Sequence, residues 1–445
     1  MGKSGLIDPL RRRGFRRLAL SYAVNELGDW MGIVALSVLV YDRTGSALAT
    51  AVLFLGTGFV PAILAPVLVA RVERPPPRLV LPALYAAEAA AFAGLALFSA
   101  HFSLAAIFVL ATIDGAVALA ARALTRAVVA AMLEPAGELR SGNAILNVAF
   151  TGGAAVGPGI AGLVVAGFGI ESALLLDAVS FYAIAWILFT AGPLPQAVPD
   201  PGDTIARLRA GMAYISGHLR LRHLILAQGA AFVFFAAVIP IEVIYAKETL
   251  GVGDSGYGLL LASWGAGMVL GSFVFAALRR ASLPYLLFFS TATIGAGYVG
   301  MALAPSLALA CLAATVGGTG NGVQWVAVVS AVQELTSENM QARVMSVLES
   351  TGAAMLGVGY LAGGVIATAV DPRATFFFAG LGVFAIVAVV APILGTKWPE
   401  RSESSDSNEL DVSNDVVLEL IPGSRLDQRR FIQSKSVQSD SEVLP

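Results

Sequence analysis

The chain has 445 residues, of which 57% are hydrophobic and 13% charged, and its mean hydropathy is +0.78. Soluble domains carry about 25% charged residues, so this composition excludes a soluble globule and predicts a protein whose surface faces lipid. The net charge of −2 gives no basic field that would favour a nucleic-acid partner. The single cysteine, Cys311, excludes an intramolecular disulfide and is expected to be a small buried hydrophobe.

The N-terminus begins with basic residues followed by an apolar stretch, an order that is also found in signal peptides. This stretch runs from Leu18 to Tyr41, contains Glu26 and Asp29, and has no small-residue cleavage site. It is too long for the apolar region of a signal peptide, so it predicts a first membrane helix.

Apolar segments long enough to cross a bilayer recur twelve times along the chain. They lie near 17–41, 46–70, 79–98, 103–122, 142–166, 171–191, 222–246, 256–278, 283–302, 306–332, 342–369 and 374–395. The alternating polarity of a β-barrel is absent, so helices are the only spanning structure that the pattern allows.

The sequence also contains an internal repeat. An offset of 202 residues aligns the Gly-rich run 153–162 with 355–364 and Leu133 with Leu335. Gly- and Ala-rich helices can resemble one another by chance, but duplicated six-helix units are common in transporter folds. We therefore predict an all-α membrane protein, with twelve transmembrane helices arranged as two pseudo-symmetric six-helix bundles.

Four regions follow from this repeat and from the local composition. Residues 1–191 are predicted to form the N-terminal bundle and residues 222–395 the C-terminal bundle. The segment 192–221 is a Pro-rich linker followed by an amphipathic helix on the cytoplasmic interface. Residues 396–445 are rich in Ser, Asp and Glu, which predicts a disordered cytoplasmic tail.

Basic residues are distributed unevenly between alternate connections. With the N-terminus in the cytoplasm, all but three of the 28 Lys and Arg residues lie on the cytoplasmic side. The exceptions are Arg43, Lys247 and Arg373. The positive-inside rule therefore predicts that both termini are cytoplasmic, in the inner (plasma) membrane of a bacterial cell.

Two motifs resemble a known family. Residues 25–30 spell NELGDW and residues 40–46 spell VYDRTGS, while the fifth predicted helix contains Gly153-x-x-x-Gly157-Pro158 followed by Gly162. Together they resemble the major facilitator superfamily, in particular its macrolide-efflux and enterobactin-export types. This resemblance implies a central cavity lined by helices one and four, and the Gly-Pro pair points to exporters rather than importers.

The chain departs from this family at two places. Ala70-Arg71 stands where the link after the second helix normally carries an Asp-Arg pair, and Ala111 replaces the arginine expected early in helix four. The resemblance therefore does not carry over charge-relay gating at Arg71 or proton coupling through an arginine at position 111.

Acidic residues inside the predicted spans are the strongest functional candidates, because a charge in the bilayer is tolerated mainly where it faces a cavity or a partner. Seven fall there: Glu26, Asp29, Glu88, Asp114, Asp177, Glu242 and Glu349. Glu26 and Asp29 share one helix face with Tyr22 and Asn25 on or beside it. We predict that they couple transport to protons, the alternative being a polar patch bonded to a neighbouring helix.

The other acids leave alternatives open. Asp114 is predicted to face the cavity and to pair with Arg122 or Arg126, unless those arginines only anchor the helix near the cytoplasm. Glu349 aligns with the polar residue at 147 at the 202-residue offset. Glu242 is predicted to be a snorkelling, gate-lining or substrate-contacting residue near Lys247. For Glu88 and Asp177, structural roles in peripheral helices are favoured.

Helix ten offers Asn321, Gln324 and Trp325 as hydrogen-bonding and aromatic contacts for a lipophilic or cationic substrate, unless they only pack against another helix. The residues predicted to serve gating and packing are Gly153, Gly157, Pro158, Gly162, Gly359, Gly363 and Arg71. The sequence contains no phosphate-binding loop for ATP and no cluster of histidines for a metal or for catalysis.

We predict a secondary transporter and not an enzyme, a monomer in the bilayer without cofactors, that exports drugs or lipophilic small molecules by proton antiport. One alternative is a transporter of lysophospholipids or similar lipids. The second alternative is a non-transporting receptor or scaffold that uses its tail to bind a partner.

Overall fold

A computed structural model of the chain describes residues 7–72, 74–191, 194–196, 204–278 and 281–394. The predicted tail and most of the predicted linker segment 192–203 lie outside the described residues. The long helices are α1 (Arg13–Thr44), α2 (Ala47–Phe54, continuing through a π-helical turn at Leu55–Phe59 into Val60–Val72), α3 (Pro77–Ala100), α4 (Leu104–Leu133), α5 (Leu139–Phe189), α6 (Thr204–Gly217), α7 (Leu219–Thr249), α8 (Asp254–Ala277), α9 (Leu283–Leu303), α10 (Leu307–Glu334), α11 (Gln341–Ala369) and α12 (Pro372–Leu394).

Among the described residues, ten helices are long and apolar enough to cross a membrane. The two long helices that do not qualify are α6, which has 14 residues, and α10, whose 28 residues include Asn321 and Gln324. Large apolar side chains cover the outer surface: Leu163, Phe168 and Trp186 are 66%, 76% and 60% exposed. The chain is thus a multi-pass integral membrane protein with an all-helical fold.

The helix boundaries follow from local sequence. Ser46 and Ser103 accept hydrogen bonds from the backbone amides of residues 49 and 106 and so cap α2 and α4. Within α5, Gly169 has φ 84° and ψ 168°, a conformation that only glycine adopts readily. The predicted spans 142–166 and 171–191 fall on either side of this break. The predicted amphipathic helix 204–221 ends earlier, at Gly217, because His218 is extended before α7 begins.

Two faces of the helix bundle can be distinguished by the contacts at the helix ends. We call the face at which α1 begins the N-face; there Arg12 Nε lies 2.7 Å from Glu138 Oε2 at the start of α5. The opposite face, at which α1 ends, is the distal face; there Lys247 Nζ lies 2.5 Å from Asp42 Oδ1.

The three basic residues that the sequence analysis set apart all lie at the distal face. Arg43 donates to the carbonyl of residue 99 at the end of α3, and Arg373 donates to the carbonyl of residue 302 at the end of α9. Lys247 contacts the end of α1. The uneven distribution of charge therefore corresponds to a physical division between the two ends of the helices.

Helix packing follows two sets of neighbours. Helices α1 and α3 pack against α5, and α2 and α3 against α4, whereas α8 and α9 pack against α10, and α11 and α12 against α7. Two further contacts join these sets, α5 with α8 and α2 with α11. Small residues make both contacts close: a Cβ at Gly162 would lie 2.9 Å from Gly258 Cα, and a Cβ at Gly364 would lie 2.8 Å from Ala51 Cβ.

Candidate functional site

The larger cavity lies in the part of the bundle nearest the N-face and has a volume of about 930 Å³. It is lined by residues of α1, α4 and α5 on one side and by residues of α7 to α12 on the other. Four of the residues predicted for the substrate cavity line it together with Tyr22: Glu349, Asn321, Gln324 and Trp325. The 202-residue offset holds here as well, because Asn147 and Glu349 both face this cavity.

The wall of the larger cavity combines aromatic rings with carboxamides. Phe232 and Trp325 meet edge to face with ring centroids 6.3 Å apart. Behind them, Gln324 Nε2 donates to Gln228 Oε1 over 2.7 Å. Such a wall can bind an apolar body by contact with rings and orient it by hydrogen bonds.

The smaller cavity lies towards the distal face and has a volume of about 370 Å³. Asp29, Asp114 and Arg122 line one side of it, and Glu242 and Tyr257 line the other. Glu242 is only 9% exposed, so it faces this interior rather than the membrane surface. The snorkelling alternative is therefore wrong for Glu242, and Lys247 pairs instead with Asp42 and Asp254.

A charged network joins α1 to α4 at the wall of the smaller cavity. Arg122 donates through Nη2 to Asp29 Oδ2, and its Nε lies 3.7 Å from Glu26 Oε1. Asn25 Nδ2 donates to the same Asp29 oxygen over 3.0 Å. Arg122 thus holds two carboxyl groups that sit one turn apart on α1, and the two share its single positive charge.

The predicted α1 residues divide between the cavities rather than lining one face of a single site. Tyr22 borders the larger cavity and Asp29 the smaller one, while Asn25 and Glu26 are 1% and 2% exposed and line neither. Glu26 is therefore a buried partner of Arg122. A substrate in the larger cavity can reach it only if the surrounding helices move.

The predicted pairing of Asp114 is wrong. Arg122 pairs with Asp29 and Glu26, and Asp114 Oδ1 is buried without a hydrogen-bond partner among the described residues. Arg122 is likewise no anchor at the cytoplasmic end, because it lies beside the middle of α1. Counting residues along α4 missed this placement, since helix tilt decides which residues of two helices meet.

Glu88 and Asp177, for which structural roles are favoured from the sequence, both lie in the interior of the bundle. Both are fully buried and act electrostatically on the same network, together with Asp29. Asp177 fits against α1 where Gly28 and Gly32 leave space: a Cβ at Gly32 would lie 3.3 Å from Asp177 Oδ2. These carboxyls therefore belong to the polar interior around Arg122.

The predicted gating residues occupy close helix contacts, with one exception. A Cβ at Gly153 would lie 3.0 Å from Glu26 Cβ, and one at Gly157 would lie 2.8 Å from Trp30 Cβ, so both seat α5 on α1. Gly359 and Gly363 seat α11 on α7, and Gly162 lies against α8, where the carbonyl of Pro158 faces Gly258. Arg71 is exposed, and the hydrogen bond that it makes among the described residues is to the carbonyl of residue 67 in its own helix.

A distal clasp joins α1 to α7 and was missed in the sequence. Tyr41 donates to Glu248, and Lys247 Nζ lies 2.5 Å from Asp42 Oδ1 and 2.8 Å from Asp254 Oδ1. The clasp lies at the distal face, opposite the larger cavity. Together with the Gly162–Gly258 contact it holds the distal ends of the two helix sets together.

The N-face carries one further ion pair outside the spanning segments. The hydrogen bond from Arg12 to Glu138, with the charge of Glu138, raises the pKa of Arg12. The contact ties the start of α1 to the start of α5.

Comparisons with known proteins agree with this architecture. A family profile described as transmembrane secretion effector, of the major facilitator type, matches residues 4–421. A comparison with curated protein sequences finds no significant match.

Solved structures of transporters share the fold at low sequence identity. A mutant of the nucleoside transporter NupG superimposes with a TM-score of 0.68 at 14% identity, covering 86% of this chain and 98% of that chain. A POT family transporter bound to a thioalcohol-conjugated peptide gives 0.68 at 15% identity, covering 86% and 97%. A bacterial homolog of the human lysosomal transporter Spinster, inward-facing and unoccupied, gives 0.66 at 14% identity, covering 87% and 95%.

These three structures align with 86–87% of this chain, and each is the structure of a transporter, not of an enzyme. The chain belongs to the transmembrane secretion effector family and is a membrane transporter of the major facilitator superfamily.

Proposed function

We propose that this protein exports drugs or other lipophilic small molecules in exchange for protons. In this proposal α5 counts as two membrane helices, divided at Gly169, and α10 also spans the membrane, which gives twelve helices in two halves, 1–191 and 222–395. The halves rock about the substrate in the larger cavity and expose it to each side in turn.

The observation that carries the proposal is the position of Arg122, which pairs with Asp29 at the wall of the smaller cavity and with the buried Glu26. Asp29 is accessible from the smaller cavity, and Glu26 is buried behind it. A proton that arrives from the distal side can neutralise Asp29, after which Arg122 is held by Glu26 alone. The loss of the Asp29–Arg122 ion pair weakens the attraction between α1 and α4. In this way proton binding is coupled to helix movement.

Substrate binding is assigned to the larger cavity. Its rings and carboxamides suit an amphipathic or lipophilic molecule, and Tyr22 and Arg126 in its wall interact electrostatically with each other and with Glu26 of the charged network. A substrate that displaces Tyr22 therefore acts on the surroundings of Glu26. This gives substrate and proton a physical means of competing for the same helix arrangement.

The proposed sidedness places the N-face in the cytoplasm of a bacterial cell, at the inner membrane. The supporting observation is that Arg43, Lys247 and Arg373 lie together at the distal face, away from the other basic residues. The larger cavity then receives substrate from the cytoplasm. One chain contains both halves, so a monomer is sufficient for the cycle.

The test is transport into proteoliposomes with an acidic lumen, using radiolabelled erythromycin and ethidium as probes. The expected result is accumulation of both probes that an uncoupler abolishes. In Glu26→Gln and in Asp29→Asn, accumulation should no longer depend on the proton gradient. Glu171→Gln, which changes an exposed carboxyl on α5, is the matched control and is expected to behave as the unaltered protein. Accumulation that keeps its full gradient dependence in both carboxyl variants would overturn the proposed coupling.

Two alternatives are outcomes of the same experiment. If a labelled lysophospholipid moves across the bilayer and neither drug does, the substrate is lipid-like. If nothing moves under any gradient, while deletion of residues 396–445 abolishes binding of a partner, the protein is a receptor or scaffold. Normal drug transport by the tail-deleted chain would exclude this second alternative.

A further inference from the structure

Glu88 is a buried acid that the proposed coupling pair does not use. It lies on α3, is fully buried, and neither of its carboxyl oxygens has a hydrogen-bond partner among the described residues. A carboxylate removed from water without donors or a cation is strongly disfavoured. In the conformation described, Glu88 is therefore a neutral carboxylic acid that carries a proton.

The groups that face Glu88 explain why its proton matters to the network. Glu88 interacts electrostatically with Asp29 on α1, with Asp114 and Arg122 on α4, and with Asp177 on α5. Arg122 is thus a single cation opposed by several carboxyl groups. Loss of the proton from Glu88 would add a negative charge within reach of the Asp29–Arg122 pair, and uptake of the proton would remove it.

A purely structural role does not account for Glu88. An unpaired buried acid contributes no hydrogen bond to the fold. The 202-residue offset, which also aligns Pro82 with Pro284, places Ser290 at the equivalent position of the second half. Ser290 is equally buried and bonds to its own backbone. The helix position itself therefore needs no carboxyl group.

Asp114 provides a route from Glu88 to water. It lines the smaller cavity, and its Oδ1 is buried without a hydrogen-bond partner among the described residues. A proton taken from the cavity by Asp114 can pass to an ionised Glu88, leaving Asp114 ionised and Glu88 neutral.

We propose that Glu88 is a second exchangeable proton site, filled from the smaller cavity through Asp114. Only the role of Glu88 in the transport cycle rests on the proposed proton coupling. The site itself can be examined without any transport.

The first experiment is infrared difference spectroscopy of the full chain in proteoliposomes. A carbonyl band of the protonated Glu88 side chain is expected in the unaltered protein. It should shift on transfer to deuterated water and be lost in Glu88→Gln, while any bands of other buried acids remain. Asp114→Asn is expected to slow the shift without removing the band, and Glu171→Gln to leave both unchanged. A spectrum of Glu88→Gln identical to that of the unaltered protein, or a band that never exchanges, would overturn the proposal.

The second experiment counts protons per erythromycin molecule from the gradient at which net transport stops. The ratio is expected to be one lower in Glu88→Gln, which still accumulates substrate, whereas Glu26→Gln loses gradient dependence altogether. An unchanged ratio in Glu88→Gln overturns the second proton while leaving the proposed function intact. Absence of any gradient-driven transport removes the proposed function, and the infrared band still decides whether Glu88 exchanges a proton.

Discussion

At equivalent positions, the two halves of the transporter contain a contact between the corresponding pair of helices, but it is ionic in one half and neutral in the other. At the 202-residue offset Glu26 corresponds to Gln228 and Arg122 to Gln324. In the first half these residues form an ionic contact, with Arg122 Nε 3.7 Å from Glu26 Oε1. In the second half they form a neutral hydrogen bond of 2.7 Å between Gln324 Nε2 and Gln228 Oε1.

This difference separates what the fold requires from what only one half needs. The neutral pair joins α7 to α10 in the same way that the charged pair joins α1 to α4. Charge is therefore not needed for the packing of these helices. Charged groups in a membrane interior carry a cost that neutral amides largely avoid. The charge in the first half is therefore best explained by function.

The same contrast extends to the rest of the acid network. The positions that correspond to Asp29, Asp114 and Asp177 in the second half are Ala231, Val316 and Ala379. The first half thus concentrates the ionisable groups, whereas the second half supplies Gln228, Gln324 and aromatic rings to the larger cavity. In our proposal one half binds protons and the other contributes most of the substrate contacts.

The largest effect is expected from copying the second half into the first. In the variant Glu26→Gln/Asp29→Ala/Arg122→Gln, Arg122 and its two paired carboxyl residues take the residues of their counterparts in the second half. The helix packing should be retained, because the second half folds with these residues. Proton-driven accumulation of erythromycin should fall by about 100-fold, at the upper end of typical coupling free energies.

Thermal unfolding in detergent supplies the control for this variant. Arg122→Gln alone leaves Glu26 and Asp29 buried without their cation, which should cost about 3 kcal/mol, the low end of the range for breaking a buried pair. The triple variant should regain that stability. If the triple variant is as unstable as Arg122→Gln, or if it still accumulates substrate against a gradient, the functional explanation of the charge is wrong.

Much of this network could be predicted from sequence, but its pairing could not. The spacing of Glu26 and Asp29 on one helix face correctly predicts that they share surroundings, because helix periodicity is a local property. Their partner was missed because a residue count along α4 does not give the angle at which α4 crosses α1. The 202-residue offset, which aligns Arg122 with Gln324, could have indicated that Arg122 is a functional residue, because Gln324 was already a candidate for substrate contact.

The distal clasp shows a second limit of sequence reasoning. Asp42 and Lys247 are 205 residues apart, and each is an ordinary charged residue near a helix end. Only the docking of α1 beside α7 makes them partners. The glycine contacts were easier to predict, because small residues at regular spacing indicate close packing whatever helix lies opposite.

Glycine contacts test whether packing, unlike charge, is symmetric between the halves. Gly162 lies on α5 against α8, and its counterpart Gly364 lies on α11 against α2. Gly162→Leu and Gly364→Leu should each overpack the distal-closed state by about 1–3 kcal/mol, and both should shift the protein towards closure of the larger cavity. Alkylation of a cysteine placed at Asn147, in a Cys311→Ala background, should then slow by a similar factor in both variants.

Gly152→Leu is the matched control for these variants, because no atom lies within 4 Å of a Cβ at that position. It should leave alkylation at position 147 unchanged. If only one of the two cross-half variants slows alkylation, the halves differ in packing as well as in charge, and the contrast drawn from the network loses its force.

The neutral pair is expected to have a smaller effect than the charged one. Gln228→Ala removes one hydrogen bond, which should cost about 1 kcal/mol and weaken erythromycin binding by about fivefold. The dependence of transport on the proton gradient should not change. Because both residues act through the same bond, Gln228→Ala/Gln324→Ala should bind hardly worse than either single variant, and a loss of gradient dependence in either would contradict the division of labour between the halves.

The smallest effect is expected at the distal clasp, the one place among the described residues where charges join the two halves directly. Lys247 is partly exposed, its side chain being 18% accessible, and exposed ion pairs contribute about 0.2–1 kcal/mol. Lys247→Met should therefore speed alkylation of a cysteine placed at Thr57, in the smaller cavity, by about twofold to fivefold. Arg373→Met is the control, because Arg373 bonds within its own half and should not alter that rate. A much larger acceleration would mean that the clasp keeps the distal side closed. The helix contacts at Gly162 and Gly364 would then be too weak to hold that side closed without Lys247.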